Sequence, residues 1–232
     1  MTKYKKGGDI YSEKVYSNQG NLPLLNLIDQ PRTVLDVGCG AGDNAALLKR
    51  RISDVKIYGI TLSEREKEKA SEHMERCWVA DVETELPSPV REMTFDAMVF
   101  SHVLEHLRAP TETVRRLSSY LACGGAMYIS VPNAVVWSQR IHYARGCFDY
   151  KKYGILDETH LRFYTCYTVN RILEGAKYMN VKHKKVSGNL PMGIIRKFLP
   201  KKFTQKIDKK VAKKWPNLFG NQIILKVQKS GE

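Results

Sequence analysis

Three titratable side chains fall at positions 102, 105 and 106, in the run His102-Val103-Leu104-Glu105-His106. If that run is helical, offsets of three and four residues bring all of them to one face. Two imidazoles and a carboxylate on one stripe can move a proton near neutral pH or ligate a divalent ion. Each also has a plain structural use: Glu105 and His106 can make a local contact, and His102 can pack beside a ligand. A second group lies upstream, where Val34-Leu35-Asp36-Val37-Gly38-Cys39-Gly40-Ala41-Gly42-Asp43 carries a strand of buried type into three glycines and then a helix. Glycine permits positive φ and lets a ligand touch backbone with no Cβ in the way. A dinucleotide loop would read Gly-x-Gly-x-x-Gly, but its last glycine is replaced here by Asp43, whose charge repels phosphate. The loop suits a ligand without phosphates.

From Thr33 to Asn133, short β-rich apolar runs alternate with helix-like segments, the pattern of βαβ units around a parallel sheet. Strands are expected near Thr33 to Val37, Lys56 to Ile60, Cys77 to Ala80, Phe95 to Phe100 and Ala126 to Val131. Ser63 with Glu66 spells a capping box that opens a helix through Ala70. Cys123-Gly124-Gly125 is expected to end the helix carrying Val114, Leu117 and Leu121. Further on, a helix is expected from Tyr167 to Tyr178, a strand at Val181 to Val186 and a final strand at Gln222 to Val227. The segment 134–165 is of low periodicity and should lie over the sheet edge.

The 232 residues suit one globular domain, with an N-terminal helical cap over about 1–30, an insertion over about 134–165 and a basic helical insertion over about 190–216. No apolar run approaches the roughly 20 residues of a membrane-spanning helix, and the N-terminus lacks an apolar signal core, so a cytoplasmic location is expected. Five cysteines, at 39, 77, 123, 147 and 166, are scattered and never spaced as Cys-x-x-Cys, which excludes a disulfide framework or zinc knot and fits a reducing compartment. The net charge of +14 is concentrated late, in the lysines and arginine between 196 and 214. Within that segment Ile194, Ile195, Phe198, Phe203, Ile207 and Val211 recur at helical spacing. Such a segment suits a lid, a helix on an anionic membrane surface or, less well, an RNA-binding arm, because it lacks the interleaving of aromatic and basic residues found in stacking platforms.

Leu35-Asp36-Val37-Gly38-Cys39-Gly40-Ala41-Gly42 resembles the first motif of the class I S-adenosylmethionine-dependent methyltransferases. The resemblance continues through Ala80-Asp81, Phe95-Asp96, the run Ser101 to His106 and Gly124-Gly125, in the family's order. It implies a doubly wound α/β fold: a mostly parallel seven-stranded sheet, helices on both faces and the last strand antiparallel. It implies S-adenosylmethionine as cofactor, with Asp36, Gly38, Cys39, Gly40 and Gly42 facing the methionine part, Asp81 and Val82 framing the adenine, and Ser101 and His102 beside them. Where the family usually ends its second strand in an acidic residue for the ribose, this chain has Thr61-Leu62-Ser63, similar to the Thr-Leu-Ser of cyclopropane fatty acid synthases. Ribose contact then falls to Thr61, Leu62 and, one turn on, Glu66.

Methyl transfer from a sulfonium asks the protein for alignment and, with a hydroxyl acceptor, for proton removal. The catalytic candidates are His102, Glu105, His106 and His160, with His102 or His160 as general base; His142 has no such spacing. The same four are candidates for a divalent metal, a pattern similar to small-RNA 2′-O-methyltransferases, which carry a glutamate where His102 stands. The stretch from Arg145 to Thr165 looks like a branch acting on sugars, lipid-linked glycans and secondary metabolites, with Tyr143, Tyr150, Tyr153 and Tyr164 as candidate pocket walls and Phe163 as packing. O-methylation of a small molecule is the expectation. The alternatives are an RNA-directed methyltransferase and a non-catalytic cofactor-binding protein.

Overall fold

The computed structural model describes residues 19–176, 179–188 and 199–230. Residues 1–18 of the expected cap, and Ile194, Ile195 and Phe198 of the basic segment, lie outside these. The strands are β1 (Thr33–Val37), β2 (Lys56–Thr61), β3 (Arg76–Val79), β4 (Phe95–Ser101), β5 (Leu121–Pro132), β6 (Met179–Ser187) and β7 (Gln222–Lys229). They form one sheet in the order β3-β2-β1-β4-β5-β7-β6, and β7 runs antiparallel to both its neighbours. The chain winds from β1 outward to β3, then returns to β4 on the other side of β1. The C-terminal ends of β1 and β4 therefore flank the topological switch point, where such sheets bind ligands.

Central strands are apolar on both faces because both are covered. Val34, Ala97, Val99 and Ala126 face one core with Leu24, Leu25 and Leu48, from α1 (Leu22–Leu25) and α2 (Asp43–Arg51). Leu35, Val37, Met98, Phe100 and Met127 face the other, with Val114 and Leu117 of α5 (Pro110–Ser118). The short helices α3 (Glu64–Ala70) and α4 (Ser88–Arg91) complete the first half. The second half adds α6 (Trp137–Ala144), α7 (Lys201–Lys214) and α8 (Pro216–Phe219).

Several local expectations are corrected. The helix expected to reach Leu121 stops at Ser118, and Leu121 already pairs with Phe95. Gly124, at φ 75°, and Gly125 lie inside β5, where the register shifts, so these glycines make a strand irregularity and not a helix stop. The expected helix from Tyr167 is only a 3-10 turn, Val169–Leu173. The Thr165 hydroxyl caps the start of this turn, accepting from the Tyr167 and Thr168 amides at 3.2 Å each, and Gly175 at φ 80° follows close after its end. In α7 the inward residues are Thr204, Asp208 and Ala212, while Phe203 is 52% exposed. Ile207 and Val211 are half-buried beside that inward arc, while the lysines at 202, 206, 209, 210, 213 and 214 are exposed.

Candidate functional site

The glycine turn is shaped by backbone. Gly38, Gly40 and Gly42 have φ of 68°, 54° and 86°, values that L side chains rarely adopt. The Gly38 and Cys39 amides both donate to the Ile60 carbonyl, at 2.8 and 3.0 Å, and fold the turn back over β2. A Cβ at Gly38 would lie 2.5 Å from Val103 Cγ2, and one at Gly42 2.9 Å from Ala70 Cα. Beneath the turn the Asp36 side chain is sealed, and neither carboxylate oxygen has a hydrogen-bond partner among the described residues. Burial raises its pKa to about 7, opposed by the nearby Asn44 amide. Val103 and Ala70 thus occupy the places that side chains would take, and a turn closed in this way above a sealed, unpartnered acid fits a ligand without phosphate.

At the end of β2, the buried Thr61 hydroxyl donates to the buried Glu66 carboxylate. Ser63 occupies the N-cap of α3 but its side chain makes no cap hydrogen bond, so the expected capping box is not the arrangement found. Leu62 is exposed, and Val82 is buried. Asp81 accepts from the Glu83 amide at 2.8 Å, and the Arg116 guanidinium donates to the Val82 and Thr84 carbonyls, which fixes this loop. The cofactor candidates from Asp36 to His102 thus gather along the C-terminal ends of β1, β2, β3 and β4.

The run from 102 to 106 is not an α-helical stripe. His102 has φ 58°, the one positive value among described non-glycine residues, and a 3-10 turn then covers Leu104–His106. Strain of this kind persists only where its surroundings hold it. His102 Nδ1 lies 3.2 Å from Glu105 Oε1 and its Nε2 lies 3.1 Å from Gln222 Oε1. The orientation of Gln222 follows from Asn21, whose Oδ1 accepts from the Leu24 amide and whose Nδ2 donates to Ser130, Ser101 and Gln222. Both ring nitrogens of His102 therefore face acceptors, the arrangement of an imidazolium. Burial pulls its pKa down, but the Glu105 bond and charge, with Gln222 adding, outweigh that and leave it above the ordinary histidine value.

Glu105, His106 and His160 form a second group whose ligand atoms all lie within 4.8 Å of one another. Glu105 is wholly buried, with Oε2 lacking a hydrogen-bond partner. Its carbonyl accepts from the Leu161 and Arg162 amides at 2.8 and 3.0 Å, tying the turn to the segment that carries His160. His160 Nδ1 donates to the Ile155 carbonyl at 3.0 Å, which leaves the lone pair on Nε2. The Thr159 hydroxyl donates to Asp157 at 2.6 Å and so accepts from His106 Nδ1, at 3.0 Å. Burial, then the neighbouring His160, hold the His106 pKa below the ordinary value against the pull of Glu105. His102, expected as a fourth ligand, stands outside this trio.

From His160 an aromatic chain leads outward: Phe163 at 6.4 Å between ring centres, Phe148 at 6.0 Å from Phe163, then Tyr143 and Tyr150 at 5.4 and 5.7 Å from Phe148. Phe148, Tyr150 and Phe163 are exposed. Tyr164, expected as a wall, is buried in the core with its hydroxyl toward the Leu104 carbonyl, and Phe163, expected as packing, takes the outer place. Alternation about the bridge between Asn133 and Tyr164 turns the two rings to opposite sides. Asn21, Ser130 and Gln222 were not legible as site residues, since no chemical motif surrounds them.

A family model described as a methyltransferase domain matches residues 15–183. The chain is 31% identical over 125 residues to a trans-aconitate 2-methyltransferase of Rhodopseudomonas palustris, covering 51% of this chain and 47% of that one. It is 31% identical over 140 residues to a ubiquinone biosynthesis O-methyltransferase of Acinetobacter baylyi, covering 55% and 58%. The chain spans about half the length of the curated relatives it matches. Among solved structures it resembles a SAM-dependent methyltransferase from Archaeoglobus fulgidus, with TM-score 0.56, 19% identity and 86% of each chain covered. The plantazolicin methyltransferase BpumL, solved with SAH, matches with TM-score 0.56 at 14% identity over 88% of this chain and 77% of that one. No described helix is long and apolar enough to cross a membrane.

Proposed function

This chain belongs to the methyltransferase-domain family, within the class I S-adenosylmethionine-dependent methyltransferases, and from that membership we propose that it methylates a hydroxyl oxygen of a small molecule. The observation that carries the proposal is the pairing of a glycine turn fitted to a phosphate-free ligand with a proton-accepting imidazole group on the adjoining β4 rim.

S-adenosylmethionine, when bound, supplies a methyl group on a sulfonium whose leaving group is a neutral thioether. Alignment and proton removal are left to the chain. Gly38, Cys39, Gly40 and Gly42 hold the methionine part over Asp36, with Ser101 and His102 beside it. Thr61, Leu62 and Glu66 meet the ribose, and Asp81 and Val82 meet the adenine. His160 takes the acceptor's proton through Nε2, because Ile155 already fixes the proton on Nδ1. His102, with both ring nitrogens held by Glu105 and Gln222 and its side chain 42% exposed, places a fixed positive charge beside the acceptor. The exposed rings of Phe148, Tyr150 and Phe163 form the wall against which a sugar or planar acceptor packs. A small-molecule acceptor also agrees with the names of the relatives from Rhodopseudomonas and Acinetobacter, and oxygen as the target with the latter.

A second reading is favoured by the unpartnered Glu105 Oε2 facing two imidazoles of fixed tautomer. In it Glu105, His106 and His160 hold a divalent ion that would polarise the acceptor hydroxyl. Two nitrogens and one oxygen form a set better suited to zinc, manganese or iron than to magnesium.

The deciding experiment incubates the protein with S-adenosylmethionine and a panel of sugars, phenols, carboxylic acids and RNAs, then looks for a mass gain of about 14 units, one CH₂ per transfer. The expected result is a gain on a hydroxylated small molecule. Gain on RNA alone, or cofactor binding with no transfer to any acceptor, overturns the proposal. Exhaustive chelation separates the two readings of the trio: unchanged turnover leaves His160 as base, and loss restored by added metal installs the ion.

A further inference from the structure

Gly59, in the middle of β2, lets two sulfurs meet that a side chain there would keep apart. Its neighbours across the sheet are Asp36 on β1 and Cys77 on β3. The glycine turn folds over β2 and brings Cys39 to the same spot, so Cys39 Sγ and Cys77 Sγ lie 3.6 Å apart. A Cβ at Gly59 would stand 2.8 Å from Cys39 Sγ, 3.2 Å from Cys77 Sγ and 2.4 Å from Met74 Sδ. The missing methyl group is what lets the thiols meet. They are 38 residues apart along the chain, so no local motif announces them.

Cys77 lies on the edge strand β3, among the residues that line an open depression of about 480 Å³ together with Lys67 and Arg76. Its side chain packs in the apolar cluster with Cys39, Ala70 and Met74 and is 4% exposed, so the pair is distinguished by its short sulfur separation and calls for a small oxidant. The Cys39 thiol bonds to Cys77 and lowers its pKa, burial opposes this, and Lys67 assists. Cys39 is held well above the ordinary thiol range, first by that same bond and then by burial. The two buried sulfurs thus differ in character: Cys77 on the edge strand is the more acidic thiol and Cys39 on the turn the less acidic one.

We propose that Cys39 and Cys77 are a dithiol oxidation site, which a hydroperoxide converts to a disulfide that distorts the glycine turn. The cofactor consequence rests on the reading of that turn given above. The Cys77 thiolate attacks the peroxide's terminal oxygen, the O–O bond breaks, and with one proton taken up the first water leaves a sulfenic acid on Cys77. Cys39 then attacks that sulfur, the S–S bond forms, and the Cys39 proton leaves with the hydroxyl as the second water. Two thiols give up two electrons and one hydroperoxide accepts them. Closure brings the sulfurs from 3.6 Å to about 2.05 Å. The displacement falls on the turn, because Cys39 sits between Gly38 and Gly40, both at positive φ.

The test treats the whole reduced protein with hydrogen peroxide at stoichiometric steps and follows intact mass, disulfide-linked peptides and affinity for S-adenosylhomocysteine. The expected result is a loss of two hydrogens, a peptide joining Cys39 to Cys77, and affinity reduced about tenfold and restored by dithiothreitol. Cys77→Ala should bind cofactor normally when reduced and keep that affinity after peroxide. A protein that stays reduced, links other cysteines or stops at an oxyacid overturns the proposal, as does a Cys39 to Cys77 link with unchanged affinity. Mass and peptide mapping judge the bond without reference to any cofactor, while failure of the reduced protein to bind S-adenosylhomocysteine would instead sink the reading of the turn.

Discussion

The two sides of the switch point are built by different means. On the side of β1, β2 and β3, the site is made by backbone: three positive-φ glycines, two amides on one carbonyl, and a Cβ that has no room. On the side of β4, β5 and β7, it is made by side chains whose partners come from far along the chain, Asn21 with Gln222 and His106 with Thr159. Backbone shapes can be specified within a few residues, but side-chain networks need the whole fold. The first side therefore suits a constant ligand and the second a variable acceptor.

The sharpest way to test that division is His160→Ala. Loss of a positioned base should lower turnover by about 10²- to 10⁴-fold while S-adenosylhomocysteine affinity by calorimetry stays within about twofold. Equal losses in both would show that the two sides are not separable. The opposite pattern is expected of Gly38→Ala, since the new methyl meets Val103 at 2.5 Å in a backbone region costing roughly 1–2 kcal/mol for an L residue. Cofactor affinity should fall at least about tenfold.

A pH profile of turnover distinguishes the roles on the β4 side. His102 is cationic below a pKa that lies above the ordinary 6.5, so if its charge holds the acceptor, turnover holds below that value and falls as pH rises through it. Replacing Glu105 with Gln removes the main support for the cation and should move that falling limb to lower pH. A rising limb that moves the same way would make His102 the base.

The smallest expected effect concerns Asp36. Folding raises its pKa from 3.8 to about 7, so between those values the folded chain keeps a proton that the unfolded chain releases. Its contribution to stability is thus present at low pH and lost progressively as pH rises from about 4 to about 7. Asp36→Asn should remove that decline, seen as a flatter dependence of melting temperature on pH in the cofactor-free protein. An unchanged slope would mean that the buried acid is satisfied by something other than its proton.

Much of this was written in local sequence. The alternation of apolar runs from Thr33 to Val131 placed five parallel strands, because strand and helix periods are set by nearest neighbours. The glycines of the first turn likewise declared a backbone that only they can adopt. Where local signals competed, the sequence misled: Gly124-Gly125 looked like a helix stop and became a strand irregularity, and the helix expected from Tyr167 closed as a 3-10 turn before Gly175.

What the sequence determined by itself was the succession of strands along the chain, the glycine turn and the identity of the titratable residues, all of which depend on contacts within a few positions. Only the tertiary structure decided that His102 faces Gln222 while Glu105, His106 and His160 group without it, that Phe163 points out and Tyr164 in, and that Cys39 meets Cys77 across Gly59. Those outcomes depend on which strands lie side by side, and that is fixed by the burial of two apolar faces at once and by no short stretch of chain.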